Sequence, residues 1–359
     1  MGEGKHARFS LRSGAHRALG VAFGRASLGV EDEDVLDATV RLEVNHWNGS
    51  VEPRVVLREL YPLEEPGADK PLPPHSCACD EAEWWQRFEA ELHAESASTR
   101  PLHGLTRTRE PTGSDRRLIR GGSSATVAIA ELVSSGAGVL AVCADASRRA
   151  ALANGATGFA RFNGGAALIA CHRCGDSEIE RLRGRAASGL ALIDFGALKR
   201  EPELAAAFEH VVLVDPPSSE GDERRAAFPW EGDEVGFLHV LWTQAEAEFA
   251  GKVLAEQWPA REAIAGTFKA LRELDEVGGE ALRQALAGTG GYPLSPEVSA
   301  RRFRVLSELG LVQGAPEAGA GVVRVVSSER TELQRSAAFR AYSERLSEAQ
   351  KYLARPKLP

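Results

Sequence analysis

Between Leu118 and Pro217 the chain carries short runs that are apolar almost throughout: Gly138–Cys143, Ala167–Ala170, Gly189–Ile193 and Val211–Val214. Helical stretches at Ala125–Val133, Ser147–Ala153 and Glu203–Phe208 alternate with them. A strand with one wet face alternates apolar and polar residues, whereas a strand that is apolar at successive positions is covered on both faces. That environment is a parallel sheet with helices above and below, so the pattern predicts an α/β domain. Its sheet is expected to end at Asp215-Pro216-Pro217.

The first sixty residues follow a different rule. Runs at Ala7–Leu11, Ala18–Phe23, Ala38–Val44 and Pro53–Leu60 are broken by Ser13-Gly14 and Asn48-Gly49, the second a strong signal for a two-residue hairpin turn. Four or five strands in this span predict a small β-barrel. Residues 63–117 then change character. Leu63–Thr99 holds nine acids against two bases, and Arg100–Arg120 holds six arginines against two acids. Like-charge blocks are usually solvated, so a linker is expected, with Trp84–Phe88 a candidate short helix within it.

After Trp230 the periodicity is helical over Phe237–Leu254, Pro259–Leu274, Gly279–Ala287 and Ser295–Leu309. Leu311-Val312, a glycine-rich turn and Val322–Val326 follow as a β-ribbon, so the segment predicts a winged helix-turn-helix. Glu329–Leu353 places Tyr342, Leu346, Ala349 and Leu353 on one helical face, which is expected to pack back onto the body. The predicted organisation is multidomain α/β and β: a barrel at 1–62, a linker at 63–117, the α/β domain at 118–230, a helical region with the winged helix at 231–328, and a terminal helix at 329–359.

No apolar run approaches the roughly 18 residues of a membrane span, and Met1–His6 lack the apolar stretch of a secretory signal. A cytoplasmic protein whose five cysteines are thiols is therefore expected. Catalytic motifs are not legible. Gly121-Gly122-Ser123-Ser124 precedes a helix and could hold an anion, but no Gly-Lys-Ser/Thr follows to reach the terminal phosphates of a nucleotide. Asp215 resembles a magnesium-binding carboxylate position, although a strand-end cap explains it as well. Cys171-His172-Arg173-Cys174 has metal or redox spacing, and Cys77-Ala78-Cys79 could add two sulfurs, but structural zinc sites close over much shorter separations. No metal or other cofactor is expected.

What remains is nucleic-acid chemistry. The net charge of −8 excludes non-specific coating of a polyanion through total charge but leaves room for a local patch. Lys5, Arg8, Arg12, Arg17 and Arg25 cluster with only Glu3 opposing them, and Phe9, Phe23 and Trp47 are available for base stacking. Phe9 and Phe23 are in phase with Leu11 and Val21 and are read mainly as core residues. Trp47, at a hairpin tip, is the better stacking candidate. In the third helix of the winged segment, Arg301 and Arg304 are expected to point outward together, opposite a core face of Val298, Val305, Leu306 and Leu309. From Ser299 onward eleven bases face six acids, an excess suited to a phosphate backbone or an acidic peptide.

Gly4–Leu11, Val21–Gly24, Leu42–Gly49 and Arg54–Arg58 resemble the OB domain of the RecJ family of single-strand-specific 5′–3′ DNA exonucleases. Leu192–Gly196, Val212–Pro217, Glu308–Leu311 and Ala349–Leu353 resemble the C-terminal extension of bacterial members, in which a degenerate helicase-like α/β domain precedes a winged helix. The resemblance implies single-stranded DNA as a partner, gripped by Lys5, Arg8, Arg12, Arg17 and Trp47. It also implies docking to a single-strand-binding protein, a helicase or a separately encoded nuclease core, and no membrane. The family's catalytic core, which uses Mg or Mn, carries an Asp-His-His triplet, yet no Asp-His or His-His pair occurs in this chain. No catalytic residue is therefore carried over, and the chain is expected to be inactive alone. The alternative is a protein-interaction module of the repair machinery without DNA affinity.

Overall fold

The computed structural model describes residues 6–13, 16–31, 36–47, 50–62, 79–94, 117–119, 124–157, 167–227, 236–288, 291–314, 316 and 321–355. These fall into two compact units, one built from the first four strands and the other from the later elements.

The first unit contains β1 (His6–Ser13), β2 (His16–Phe23), β3 (Leu36–Trp47) and β4 (Ser50–Pro62) in the order β1-β2-β4-β3. β1 and β2 pair antiparallel from His6–Phe23 to Ser13–His16. β3 and β4 pair antiparallel from Leu36–Pro62 to Trp47–Ser50, with a register shift between Thr39 and Val40. The expected turn residues Asn48 and Gly49 lie outside the described residues, but the Trp47–Ser50 pair leaves a connection of two residues. The two hairpins join only where Gly20 and Val21 lie parallel to Val55 and Val56. The expected closed barrel is not found. Closure requires every strand to be paired on both sides, and among the described residues β1 and β3 remain edges of an open sheet.

The second unit holds the predicted parallel sheet. Its strands are β5 (Arg117–Ile119), β6 (Gly138–Cys143), β7 (Leu168–Ala170), β8 (Gly189–Asp194), β9 (His210–Leu213) and β10 (Phe237–Val240), ordered β5-β10-β9-β6-β8-β7. Every pairing is parallel. All six residues of β6 are buried, as continuous apolarity requires. The sheet does not end at Asp215, because Phe237–Val240 is a strand between β5 and β9 rather than the start of a helix. A run of four residues carries too little periodicity to tell the two apart. The helix that follows, Gln244–Gln257, starts where Thr243 and Glu246 form a capping box.

The short helix expected at Trp84–Phe88 is longer and is part of the core: α1 (Glu81–His93) is started by Asp80, whose side chain accepts from the Ala82 and Glu83 N–H groups. Its Trp84, Trp85 and Phe88 are buried in one core with Phe303, Val305, Leu306, Leu282 and Tyr342. Its aromatics form the seam, while Glu83 and Glu91, half-buried, pair with Arg200 and Arg301.

Between β5 and β10 lie α2 (Ala125–Ser134), α3 (Ala150–Thr157), α4 (Asp176–Glu180), α5 (Phe195–Arg200) and α6 (Glu220–Ala226). The remaining helices are α7 (Gln244–Gln257), α8 (Arg261–Leu274), α9 (Gly279–Ala287), α10 (Pro296–Glu308) and α11 (Ala337–Leu353). β11 (Glu276–Gly278), β12 (Val312–Gln313) and β13 (Val322–Val325) form a small antiparallel sheet in the order β11-β13-β12. α11 packs back as expected. Tyr342 and Ala349 are buried, Ser336 and the Ala338 N–H both donate to Glu308 at the end of α10, and Tyr352 donates to Glu223 of α6 at 2.6 Å.

Phe88 is fully buried and touches Trp84, Trp85 and Phe303 with ring centroids 5.3–5.9 Å apart. Phe88→Ala is expected to cost about 3–5 kcal/mol of stability by leaving a cavity, measured by chemical denaturation. An unchanged midpoint would remove α1 from the core.

Candidate functional site

In the open sheet, strand register decides which residues share a face. His6 pairs with Phe23, Arg8 with Val21 and Ser10 with Leu19. Val21 pairs with Val56, and across β3 and β4 Val56 pairs with Arg41 and Arg54 with Glu43. Because side chains alternate along a strand, one face carries Arg8, Arg17, Arg41 and Arg54 together with Phe23, opposed by Glu43 and Glu52.

Phe23 is 51% exposed. The His6 ring meets it edge-on at 5.3 Å, and the Arg54 guanidinium lies 5.4 Å from its centroid. Arg54 also donates to Asn45 at 3.1 Å and to Glu43 at 2.9 Å. Hydrogen bonds from Arg54 and then from Arg41 hold the Glu43 carboxyl below the usual carboxylate range. Arg17 donates to Ser10 at 2.6 Å, and Arg8 is exposed.

The opposite face is apolar. The Phe9 ring lies over Gly20 so closely that a Cβ there would sit 2.4 Å from it, so a side chain at that position would push the ring aside. Phe9 is thus a packing residue, as its phase suggested, but Phe23 is not: its alternation with Val21 belongs to the basic face. Of the residues expected to bind DNA, Lys5 lies outside the described residues. Arg12 pairs in register with Arg17 and Trp47 with Ser50, while their side chains lie outside the described residues.

The carboxyl ends of a parallel sheet are the usual ligand site of such folds, and here they gather a dense polar cluster. Asp145, Asp194 and Asp215 are buried after β6, at the end of β8 and after β9. Arg149 holds Asp215 through two hydrogen bonds, and the Ala144 N–H donates to the same carboxylate at 2.9 Å. Arg173 holds Asp145 at 2.7 Å and donates to the Pro293 carbonyl at 2.9 Å. Burial raises the pKa of both carboxyls, a shift opposed by Arg149 at Asp215 and by Arg173 at Asp145. Asp194 accepts from the Ala197 N–H at 2.9 Å, the His172 N–H at 2.9 Å and the His172 ring at 2.8 Å. Burial works against its charge, yet His172 and these N–H donors outweigh it, and the carboxyl stays below its ordinary value.

The turn after β7 brings the Cys171 and Cys174 sulfurs to 3.8 Å, and Cys171, His172 and Asp194 offer atoms all within 4.8 Å of one another. This is the one group of metal-ligating residues among the described residues. The Arg173 guanidinium lies 3.8 Å from the Cys171 sulfur and 3.2 Å from His172 Nε2, so a fixed organic cation already sits against two of the three donors. Burial holds the Cys79 thiol up at about 11, away from reactive range, and pushes Cys143 well above its usual value. Every acid of the cluster thus has an arginine or imidazole partner, an arrangement suited to positioning loops rather than to presenting an open carboxylate.

Arg301 and Arg304 do not point outward together. Arg301 donates to Glu91 at 2.7 Å and to the Gln257 carbonyl at 3.1 Å, and its guanidinium stacks 4.5 Å from the Trp258 ring centroid. Arg304 bonds the Ala94 carbonyl and Glu308. The reason is α1, which packs along α10 and turns a face that helical phase alone makes solvent-exposed into an interface.

Sequence reasoning missed Arg41, Arg54 and the exposure of Phe23. The signal was present, because a two-residue turn at Asn48-Gly49 sets Glu43 opposite Arg54 by counting outward. No model of a known protein family matches the chain, and no curated protein matches it.

Asp194 makes His172 a pH probe. Burial disfavours the imidazolium, but the charge and hydrogen bond of Asp194 prevail and raise its pKa above the ordinary histidine value. A raised pKa adds stability that is complete below the unfolded-state value of about 6.5 and is lost as pH rises through the folded-state value. NMR should find the His172 ring titrating above 6.5, and Asp194→Asn should lower that pKa and abolish this loss of stability on alkaline titration.

Proposed function

We propose that this chain is the single-stranded-DNA-binding and partner-docking portion of a RecJ-type 5′–3′ single-strand-specific exonuclease of DNA repair and recombination, and that it does not cleave DNA by itself. The observation that carries this reading is the sheet face that bears Arg8, Arg17 and Arg41 along with a half-exposed Phe23, which Arg54 contacts. Single strands are held by guanidinium groups along the phosphates and by aromatic rings on which bases stack without sequence preference. Arg54, beside the Phe23 ring and braced by Glu43 and Asn45, would keep that ring in place for a base.

In this reading β1–β4 are an opened OB-type sheet. The parallel sheet is a helicase-like domain that has lost nucleotide chemistry, with Asp215 neutralised by Arg149. The order α8, β11, α9, α10, β12, β13 is helix, strand, helix, helix, strand, strand, which we read as a winged helix. Magnesium or manganese chemistry belongs to a catalytic core whose Asp-His-His triplet this chain lacks.

One observation favours a second role for the winged segment. A winged helix that reads DNA presents the arginines of its third helix to the groove, whereas Arg301 and Arg304 of α10 are engaged by α1. That segment is therefore read as a docking surface for a protein such as a single-strand-binding protein, a helicase or the nuclease core.

The test is titration with a fluorescent single-stranded oligonucleotide at two salt concentrations, with duplex as control. Phe23→Ala is expected to weaken binding by about 1–3 kcal/mol, and Arg8→Glu to flatten the salt dependence. Trp47→Ala tests the hairpin tip in parallel. Absence of binding at low salt would overturn the DNA-binding reading and leave the protein-docking module.

A further inference from the structure

Among the described residues the open sheet has two unpaired edges, and they differ in kind. β1 runs His-Ala-Arg-Phe-Ser-Leu-Arg-Ser, basic and without an acid, so it repels a second copy of itself. Basic residues of this kind are how natural sheets blunt an edge. β3 carries no such guard. Its stretch Val40-Arg41-Leu42-Glu43-Val44 is apolar on one face, with Val40, Leu42 and Val44 exposed by 40%, 76% and 62%. Exposure of that extent on a long edge strand is a template for another strand.

The pattern selects the partner. Laid antiparallel against itself about a twofold axis through Leu42, the stretch sets Val40 opposite Val44 of the second copy, Leu42 opposite Leu42, and Arg41 opposite Glu43. Two opposite-charge cross-strand pairs and three apolar ones form at once, and no like charges meet. In the single chain Arg41 makes an ion pair with its own Glu43, which Arg54 also holds. The second copy offers the same pairing with the apolar face covered. A symmetric contact uses one patch on both subunits, and a sequence that complements itself under reversal is what such a contact demands.

We propose that two copies of this chain associate through antiparallel pairing of the β3 edges centred on Leu42, joining two four-stranded sheets into one. Opposite Thr39 and Val40 the extra residue lies on β4, at Arg58, so β3 itself runs without a bulge through the stretch that pairs. The contact uses the β3 edge with side chains of both faces, and its test is made without DNA, so its failure leaves the single-strand reading standing.

The full chain is followed by sedimentation velocity over a concentration series, with thermal melts to verify that each variant is folded. Wild type is expected to dimerise. Arg41→Glu sets carboxylate against carboxylate at both charged cross-strand pairs, and Glu43→Arg sets guanidinium against guanidinium there, so each variant alone should associate at least about tenfold more weakly. An equimolar mixture of the two variants restores opposite charges at both of these cross-strand pairs and is expected to associate more tightly than either variant alone. A wild type that stays monomeric at the highest soluble concentration overturns the proposal, as does a dimer indifferent to either charge reversal. Folded single variants that gain nothing on mixing also overturn it.

Discussion

The second unit depends on Arg87. Its guanidinium donates to the His172 and Cys174 carbonyls after β7 and also to Glu297 in the first turn of α10. One side chain therefore ties the carboxyl edge of the parallel sheet to the helical core. Glu83, one turn earlier, accepts from the Asp176 N–H and pairs with Arg200, which bonds the Cys174 carbonyl. On the other side of the same helix, Trp84, Trp85 and Phe88 enter the core of α10. A planar fork with five donors suits such a junction, because it can satisfy several acceptors at once without moving. Burial opposes the charge of Glu297, but Arg87 holds its carboxyl below the usual range, so the pair remains ionised at neutral pH.

The parallel sheet was legible because its cause is local: strands covered on both faces must be apolar throughout. α1 was not, because its aromatics are a helical seam only in the presence of α10, some two hundred residues later, and taken alone its acids look solvated. β10 was missed for a related reason, since four residues do not distinguish a strand from a helix turn. Closure of a barrel is a property of the unpaired edges of β1 and β3, and no single strand declares it.

The candidate interface divides in the same way. Arg8, Arg12 and Arg17 stood out as a cluster along the sequence, and register pairs Arg8 with Val21 and Arg12 with Arg17 on adjoining strands. Arg41 and Arg54 lie among acids in the sequence and join the basic face only through pairing across β3 and β4. Phe23 was misread because alternation separates two faces without saying which one is covered. Arg301 and Arg304 were misread because helical phase describes a helix and not its neighbour.

The bonds from Arg87 to Glu297 and from Arg301 to Glu91 each span 210 residues of chain. On a ribosome that separation becomes an interval of time. At about 5–20 residues per second, α1 emerges some ten to forty seconds before α10, and throughout that interval Trp84, Trp85 and Phe88 have no native partner on α10. The helical core is therefore assembled late, from its most distant parts, and any truncation upstream of α10 leaves three large aromatic rings as an adhesive surface for chaperones or for other chains.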